Sequence, residues 1–168
     1  MNIYIQIAGI VKESIADGPG LRLVVFAQGC KHNCPGCHNP ETHSFDGGTL
    51  VTVDAILEHA KGNPLLDGIT FSGGDPFEQA KAFAVLARQA KKLGLDIMTY
   101  TGYTYEYILE NSSRHRGWEE LLDETDILVD GRYEAAKRNL LLKFRGSENQ
   151  RMIDVKRTRA ENRIVLMD

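Results

Sequence analysis

Apolar and polar positions follow two different periods along this chain, and the alternation predicts a succession of strands and helices. Short, mostly apolar runs bounded by glycine or polar residues are typical of buried strands. Five such runs occur, at 21–28 (LRLVVFAQ), 68–72 (GITFS), 95–100 (LDIMTY), 126–130 (DILVD) and 151–155 (RMIDV). Between most of them apolar residues recur at helical spacing, which predicts parallel βαβ units.

The expected helices have recognisable start and stop signals. Thr52 is suited to cap a first helix, and Gly62 to end it. A second helix is expected from the D-P-F-E run that starts at Asp75 to the stop at Gly94. Its buried stripe is predicted to comprise Phe83, Leu86, Ala87, Ala90 and Leu93. Two shorter helices are expected at 104–111 and around 118–122.

The length of 168 residues limits the architecture that these elements can build. A complete eight-stranded β/α barrel needs about 250 residues. We therefore expect an incomplete, open parallel β/α barrel that forms a single domain over residues 1–168. Sites in such folds lie at the carboxyl ends of the strands, where the cysteine-rich loop, SGGDP (72–76) and TGY (101–103) should converge.

Composition narrows the functional classes. Hydrophobic content of 42% and charged content of 26% are ordinary for a globular domain. No run approaches the roughly 18 apolar residues of a membrane span, and the N-terminus does not resemble a secretory signal. We expect a cytoplasmic protein with no membrane partner. A net charge of −3 without an aromatic-rich basic motif does not favour nucleic-acid binding.

The basic residues are concentrated near the C-terminus. Residues 137–163, within a C-terminal segment at about 137–168, contain nine lysines and arginines and three acidic residues. The segment is either a docking surface for an acidic partner or a solvated polar tail.

All three cysteines of the chain, Cys30, Cys34 and Cys37, lie in one C-x3-C-x2-C run. A four-iron cluster usually takes four thiolates, so three would leave one iron open to another ligand. An open coordination position distinguishes a catalytic metal site from a closed structural one. The alternative is a zinc site in which His32, His38 or His43 supplies a fourth ligand.

Two motifs resemble the radical S-adenosylmethionine superfamily, CKHNCPGC (30–37) and SGGDP (72–76). Three more, DGPGLR (17–22), CHNPET (37–42) and TGYT (101–104), are similar to the activases of glycyl radical enzymes, and most closely to those of anaerobic ribonucleoside-triphosphate reductase. The segment LLLKFRGSENQR (140–151) resembles the same subfamily.

The resemblance implies a mechanism. Cys30, Cys34 and Cys37 would each ligate one iron of a 4Fe–4S cluster, and the methionine part of S-adenosylmethionine would chelate the fourth iron. Reductive cleavage would give methionine and a 5′-deoxyadenosyl radical, which would remove a hydrogen atom from a glycine Cα of the partner enzyme. The partner would be the anaerobic reductase, and a separate electron donor such as flavodoxin would be required. An activase of the pyruvate formate-lyase type, or a non-catalytic zinc or iron–sulfur module, is the alternative.

The resemblance also implies contacts with S-adenosylmethionine. Gly73 and Gly74 would let the backbone approach its ammonium group, with Asp75 as a further cofactor contact. The alternative is a plain strand-to-helix turn that Asp75 caps, and both roles can hold at once. The superfamily commonly has an aromatic residue for adenine contact just before the last cysteine, and this sequence departs from that pattern with Gly36. The adenine would then contact the backbone around Gly36 and Cys37, and His38, although His38 is equally suited to hydrogen-bond its own turn.

Other residues are candidates for contact with the substrates. Asp17, Gly18 and Gly20 form either a turn near the docked protein substrate or an ordinary turn. The pocket is expected to be lined by Thr99, Tyr100 and Thr101, although Tyr100 is equally suited to the core. Candidates for partner contact are Lys143, Arg145 and Arg151.

Overall fold

The computed structural model describes residues 2–32 and 44–167, in which seven strands form one sheet with the order β3-β1-β2-β4-β5-β6-β7. The strands are β1 (Tyr4–Ser14), β2 (Arg22–Ala27), β3 (Thr49–Thr52), β4 (Gly68–Gly73), β5 (Asp96–Tyr100), β6 (Ile127–Asp130) and β7 (Arg151–Asp154). The helices are α1 (Val53–Lys61), α2 (Ala80–Lys92), α3 (Tyr105–Asn111), α4 (Trp118–Glu124) and α5 (Val155–Glu161).

The centre of the sheet is parallel, as the sequence predicts. β2, β4, β5 and β6 are adjacent parallel strands, which confirms an open α/β fold. β1, β3 and β7 pair antiparallel at the two sides of this unit, an orientation that the βαβ pattern does not predict. Because the parallel strands end together, Ala27, Gly73, Tyr100 and Asp130 lie along one edge.

The sheet is covered differently on its two faces. The main core packs α1, α2 and α4 against one face and includes Leu23, Val25, Ile97 and Leu128. The intervening strand residues face the other way, and a smaller cluster there contains Met98, Ile127, Val129 and Met152. Within the residues that the structure describes, no helix has the length and apolarity needed to cross a bilayer.

The helix signals are confirmed in most details. The Thr52 hydroxyl accepts a hydrogen bond from the Ala55 N–H, and Gly62 is the C-cap of α1. Asp75 caps a 3₁₀ turn, Pro76–Gln79, so the α-helix itself begins later, at Ala80. The prediction for Leu93 was wrong: it is 43% exposed, because it lies beyond the last residue of α2.

Candidate functional site

A cavity of about 440 Å³ opens at the carboxyl edge of the parallel strands, on the face opposite the main core. Its walls come from the segments that follow β2, β4, β5 and β6 and from the chain before β7. The lining residues are Ala16, Asp17, Cys30, His32, Ser72, Gly73, Gly74, Tyr100, Thr101, Gly102, Gly131, Arg132, Tyr133, Phe144, Arg145, Gly146 and Gln150.

Cys30 lies on the cavity wall shortly after the end of β2, and it is half-buried. Two of the other expected cluster and cofactor residues, Gly73 and Gly74, line the same cavity. Cys34, Gly36, Cys37 and His38 fall outside the described residues. The structure thus brings the loop after β2 and the loop after β4 to one site.

Gly73 and Gly74 connect β4 to β2. Gly73 has φ +90°, and a Cβ at this residue would approach the Ala27 N and O atoms to 2.6 Å. The Gly74 N–H donates to the Ala27 carbonyl at 2.8 Å. Close approach to β2 therefore requires glycine at position 73, whether or not a ligand is bound.

Asp75 is completely buried, and its carboxylate joins three segments of the chain. Oδ1 accepts a hydrogen bond from the Phe77 N–H at 3.0 Å. Oδ2 accepts hydrogen bonds from the Thr101 hydroxyl at 2.9 Å and the Gly102 N–H at 3.0 Å. Oδ2 is also 2.7 Å from His32 Nε2. Asp75 thereby fixes the loops after β2 and β5 to the end of β4.

His32 lies between the first two cysteines of the motif, and both of its ring nitrogens are engaged. Nε2 faces Asp75, while Nδ1 accepts a hydrogen bond from Arg132 Nε at 3.1 Å. The ring also meets Tyr103 edge-on, with centroids 4.4 Å apart. In this arrangement His32 fixes the start of the cysteine loop and has no nitrogen available for zinc.

The donor set at the site fits an iron–sulfur cluster better than a zinc ion held by His32. Cys30 presents a thiol at the cavity, and the residues after His32 carry the other two cysteines. Iron–sulfur clusters are held by thiolates, and their potentials respond to the surrounding hydrogen bonds and solvent exposure.

The β6 side of the cavity is built around Tyr100, whose hydroxyl donates to the Phe144 carbonyl at 2.5 Å. Burial, with a smaller effect from Asp17, raises the pKa of Tyr100, so the phenol stays protonated as a donor. Tyr100 and Thr101 line the cavity as expected. Thr99 does not, because its side chain points to the opposite face and pairs with Thr125 Oγ1 at 3.0 Å.

The structure separates the three cations expected to contact a partner. Arg151 is held by Asp130 at 2.5 Å and Glu106 at 2.6 Å, and its hydrogen bond lowers the pKa of Glu106. Lys143 is exposed, whereas Arg145 lines the cavity. Arg151 therefore has a structural role in this fold.

Two site residues were not predicted as anchors from the sequence. The sequence suggests only a zinc-ligand role for His32, and it gives no signal for Arg132. The position of His32 inside the cysteine motif was the available signal, but its contact with Asp75 joins residues 43 positions apart. Nothing local to the sequence indicates that pairing.

Residues 15–21, between β1 and β2, contribute to another part of the cavity wall. Asp17 lines it and accepts a hydrogen bond from the Ser14 hydroxyl at 2.5 Å. The Asp17 carbonyl accepts one from the Thr70 hydroxyl at 2.7 Å. The buried Arg22 guanidinium in turn donates to Thr70 Oγ1 at 2.7 Å, which fixes this turn to β4.

Comparison with known proteins identifies relatives of this chain. Residues 16–153 match the 4Fe-4S single cluster domain family. The chain is 36% identical over 147 residues to the anaerobic ribonucleoside-triphosphate reductase-activating protein of enterobacteria phage T4, covering 81% of this chain and 85% of that protein. It is 33% identical over 130 residues to the pyruvate formate-lyase-activating enzyme of Clostridium pasteurianum, covering 74% of this chain and 50% of that enzyme.

Among solved structures, QueE from Escherichia coli aligns with a TM-score of 0.49 and 12% identity, over 76% of this chain and 70% of that one. From the family match and the sequence identities, the chain belongs to the 4Fe-4S single cluster domain family and to the family of anaerobic ribonucleoside-triphosphate reductase-activating proteins. As a member of that family it is an activating enzyme, and the match to the single cluster domain assigns it a 4Fe–4S cluster as cofactor.

Proposed function

We propose that this protein activates an anaerobic ribonucleoside-triphosphate reductase by installing a glycyl radical on it. The observation that supports this most directly is the cavity at the carboxyl edge, with Cys30 and the Gly73–Gly74 backbone on its wall. Two relatives that align with 81% of this chain are named anaerobic ribonucleoside-triphosphate reductase-activating proteins.

Cys30, Cys34 and Cys37 are the proposed thiolate ligands of the cluster. A bound cluster would supply the electron for reductive cleavage of S-adenosylmethionine, and the resulting radical chemistry would remove a hydrogen atom from the partner's glycine. The protein holds the reacting groups close together and excludes competing reactions.

Some residues of the chain would contact S-adenosylmethionine directly, and others position the segments that do so. Gly73 and Gly74 would present backbone to the methionine part of S-adenosylmethionine, and Gly36, Cys37 and His38 are the proposed contacts of the adenine. Asp75 contributes by positioning, because its carboxylate oxygens already accept hydrogen bonds from Phe77, Thr101 and Gly102.

A low-potential one-electron carrier such as flavodoxin is the proposed electron donor, because cleavage of the sulfonium requires a strongly reducing cluster. The three closely spaced cysteines need a reducing compartment, for which the cytoplasm is the proposed location.

The decisive experiment mixes reduced, reconstituted protein with S-adenosylmethionine and purified anaerobic reductase, and records the electron paramagnetic resonance spectrum. We expect a glycyl doublet that requires all three components. The Cys34→Ala variant should give neither the doublet nor cleavage of S-adenosylmethionine. A parallel sample with pyruvate formate-lyase tests the second candidate, which the clostridial relative favours. A doublet only in that sample would overturn the reductase assignment.

A further inference from the structure

Residues 138–147 form a loop that closes on itself at the β6 side of the cavity. Arg138 and Ser147 pair in an isolated antiparallel bridge. Beside it, the Asn139 N–H donates to the Gly146 carbonyl at 3.3 Å. The Asn139 side chain accepts a hydrogen bond from the Leu141 N–H at 2.9 Å, which folds the tip. The loop therefore has a fixed base and a projecting tip.

The tip exposes two consecutive leucines. Leu140 is 80% exposed and Leu141 92%, which are the highest values among the exposed large hydrophobic residues of the described ranges. Burying a leucine side chain is favourable by about 1.5–3 kcal/mol. Two such side chains on a folded tip, next to a cavity, are typical of a contact surface.

The base of the loop is part of the cavity wall. Phe144, Arg145 and Gly146 line the cavity, and the Tyr100 hydroxyl holds the Phe144 carbonyl. Phe144 has φ +62°, a conformation that is uncommon for a bulky residue. Strained backbone of this kind persists only where its surroundings hold it, and it is frequent at binding sites. The loop thus joins the exposed leucines to the interior of the site.

Arg145 brings an unused hydrogen-bond donor to this wall. Its Nη1 donates to the Gln150 carbonyl at 3.1 Å. Its Nε is buried and has no hydrogen-bond partner among the described residues. A buried guanidinium nitrogen without an acceptor is unfavourable, so a carbonyl or carboxylate of a ligand would complete it.

The charge of the loop defines the complementary ligand. Residues 138–147 include Arg138, Lys143 and Arg145 and contain no acidic residue. Arg138 and Lys143 are exposed, and neither forms an ion pair with any residue for which the structure gives a position. A partner with acidic residues beside an apolar patch would match both features.

We propose that the 138–147 loop is the docking element for the protein substrate. Leu140 and Leu141 enter an apolar patch of the partner, Arg138 and Lys143 face its acidic residues, and Arg145 binds an oxygen of the glycine-bearing segment that enters the cavity. This inference rests on the proposed function, since it assigns the surface by which the reductase is recognised.

The first test uses the Leu140→Ser/Leu141→Ser double variant of the reconstituted enzyme. Leu65→Ser is the matched control, because Leu65 is 73% exposed but precedes β4, at the opposite end of the parallel strands. Loss of an interface hot spot should raise the KM for the reductase about tenfold or more. The KM of the control should stay within about twofold of the wild type. An unchanged KM in the double variant would overturn the proposal.

The second test separates the partner from the cofactor. Arg145→Met should raise the KM for the reductase, and Arg114→Met, at an exposed arginine remote from the cavity, should not. Equilibrium binding of S-adenosylmethionine is measured in parallel. Weaker cofactor binding with an unchanged KM for the reductase would assign Arg145 to the cofactor and refute its role in docking.

Sedimentation of the wild type and the double variant tests a second copy of this chain as the occupant. If the leucines mediate self-association and the KM for the reductase is unaffected, the proposal is wrong. Failure of the proposed function is distinguishable, because it would appear as the lack of a glycyl doublet even with the wild type. In that case, binding of the reductase to the immobilised holoenzyme, compared between the wild type and the double variant, still tests whether the loop docks the reductase.

Discussion

Asp75 shows at the residue scale how one side chain can organise a site without facing its ligand. A buried carboxylate is costly unless hydrogen bonds satisfy it, and here two backbone N–H groups, a hydroxyl and an imidazole do so. These donors belong to the segments after β2, β4 and β5. The same residue that caps a turn therefore determines where the cysteine loop begins.

Replacing Asp75 by Asn should destabilise the protein and loosen the cysteine loop. An amide retains one acceptor oxygen, and its NH₂ group would oppose the donors that now meet Oδ2. We expect a loss of about 1–3 kcal/mol in the free energy of unfolding, measured by urea denaturation of the apoprotein.

Iron content after reconstitution should fall in the same Asp75→Asn variant. Asp54→Asn, at an exposed acidic residue in the first turn of α1, is the control and should leave stability and iron content nearly unchanged. Equal behaviour of the two variants would show that Asp75 does not position the loop.

At the scale of elements, the junction between β2 and β4 carries the site. These strands are parallel neighbours, and Ala27 at the end of β2 is paired in register with Gly73 at the end of β4. Any change at the junction moves the cavity wall that follows β4 relative to the cysteine loop that follows β2.

Gly73→Ala tests the junction, with Gly94→Ala as the matched control. Both glycines have positive φ, +90° and +85°, but a Cβ would meet the backbone of β2 only at Gly73 and finds open space at Gly94. The control should lose about 1 kcal/mol of unfolding free energy, from backbone strain alone.

Gly73→Ala should lose clearly more unfolding free energy than the control, because strand β2 must shift to admit the methyl group. It should also bind S-adenosylmethionine more weakly, which equilibrium binding would measure. Equal losses for the two variants would mean that the junction tolerates displacement.

For the whole molecule, the important feature is how the second face of the sheet is covered. The helices of the main core pack against one face of the sheet. Residues 15–21 and the loop 138–147 lie over the opposite face, and the cavity lies between them. Arg22 holds the first of these segments. Its buried guanidinium donates to the Pro19 carbonyl at 2.9 Å, to the Ile69 carbonyl at 3.1 Å and to Asp96 at 2.5 Å.

Arg22→Met should therefore be strongly destabilising, although it keeps an apolar stem of similar length. The buried acceptors on Pro19 and Ile69 would lose their donor, while Asp96 is 46% exposed and can be solvated. We expect a loss of about 2–4 kcal/mol in urea denaturation.

Arg157→Met is the control for Arg22→Met. It removes an exposed pair with Glu161 and should cost about 0.5 kcal/mol or less. A loss for Arg22→Met no larger than this would contradict its role in fixing the turn.

The sequence by itself determined the parallel α/β centre and the candidate metal motif. Four of the predicted strands became the adjacent parallel strands, and the caps at Thr52 and Asp75 were confirmed. These features depend on neighbours within a few residues, so periodicity and spacing are sufficient to reveal them. The role of each cluster and cofactor residue stays a prediction.

Only the tertiary structure decided the rest. β1 and β3 were missed, because much of β1 is exposed and its pairing with β2 is irregular, and β3 has only four residues. The pairing of His32 with Asp75 and of Arg151 with Asp130 and Glu106 joins residues that are distant in the chain. The sequence does not distinguish the role of one aspartate or arginine from that of another. The role of each depends on which partners the fold brings within hydrogen-bond distance.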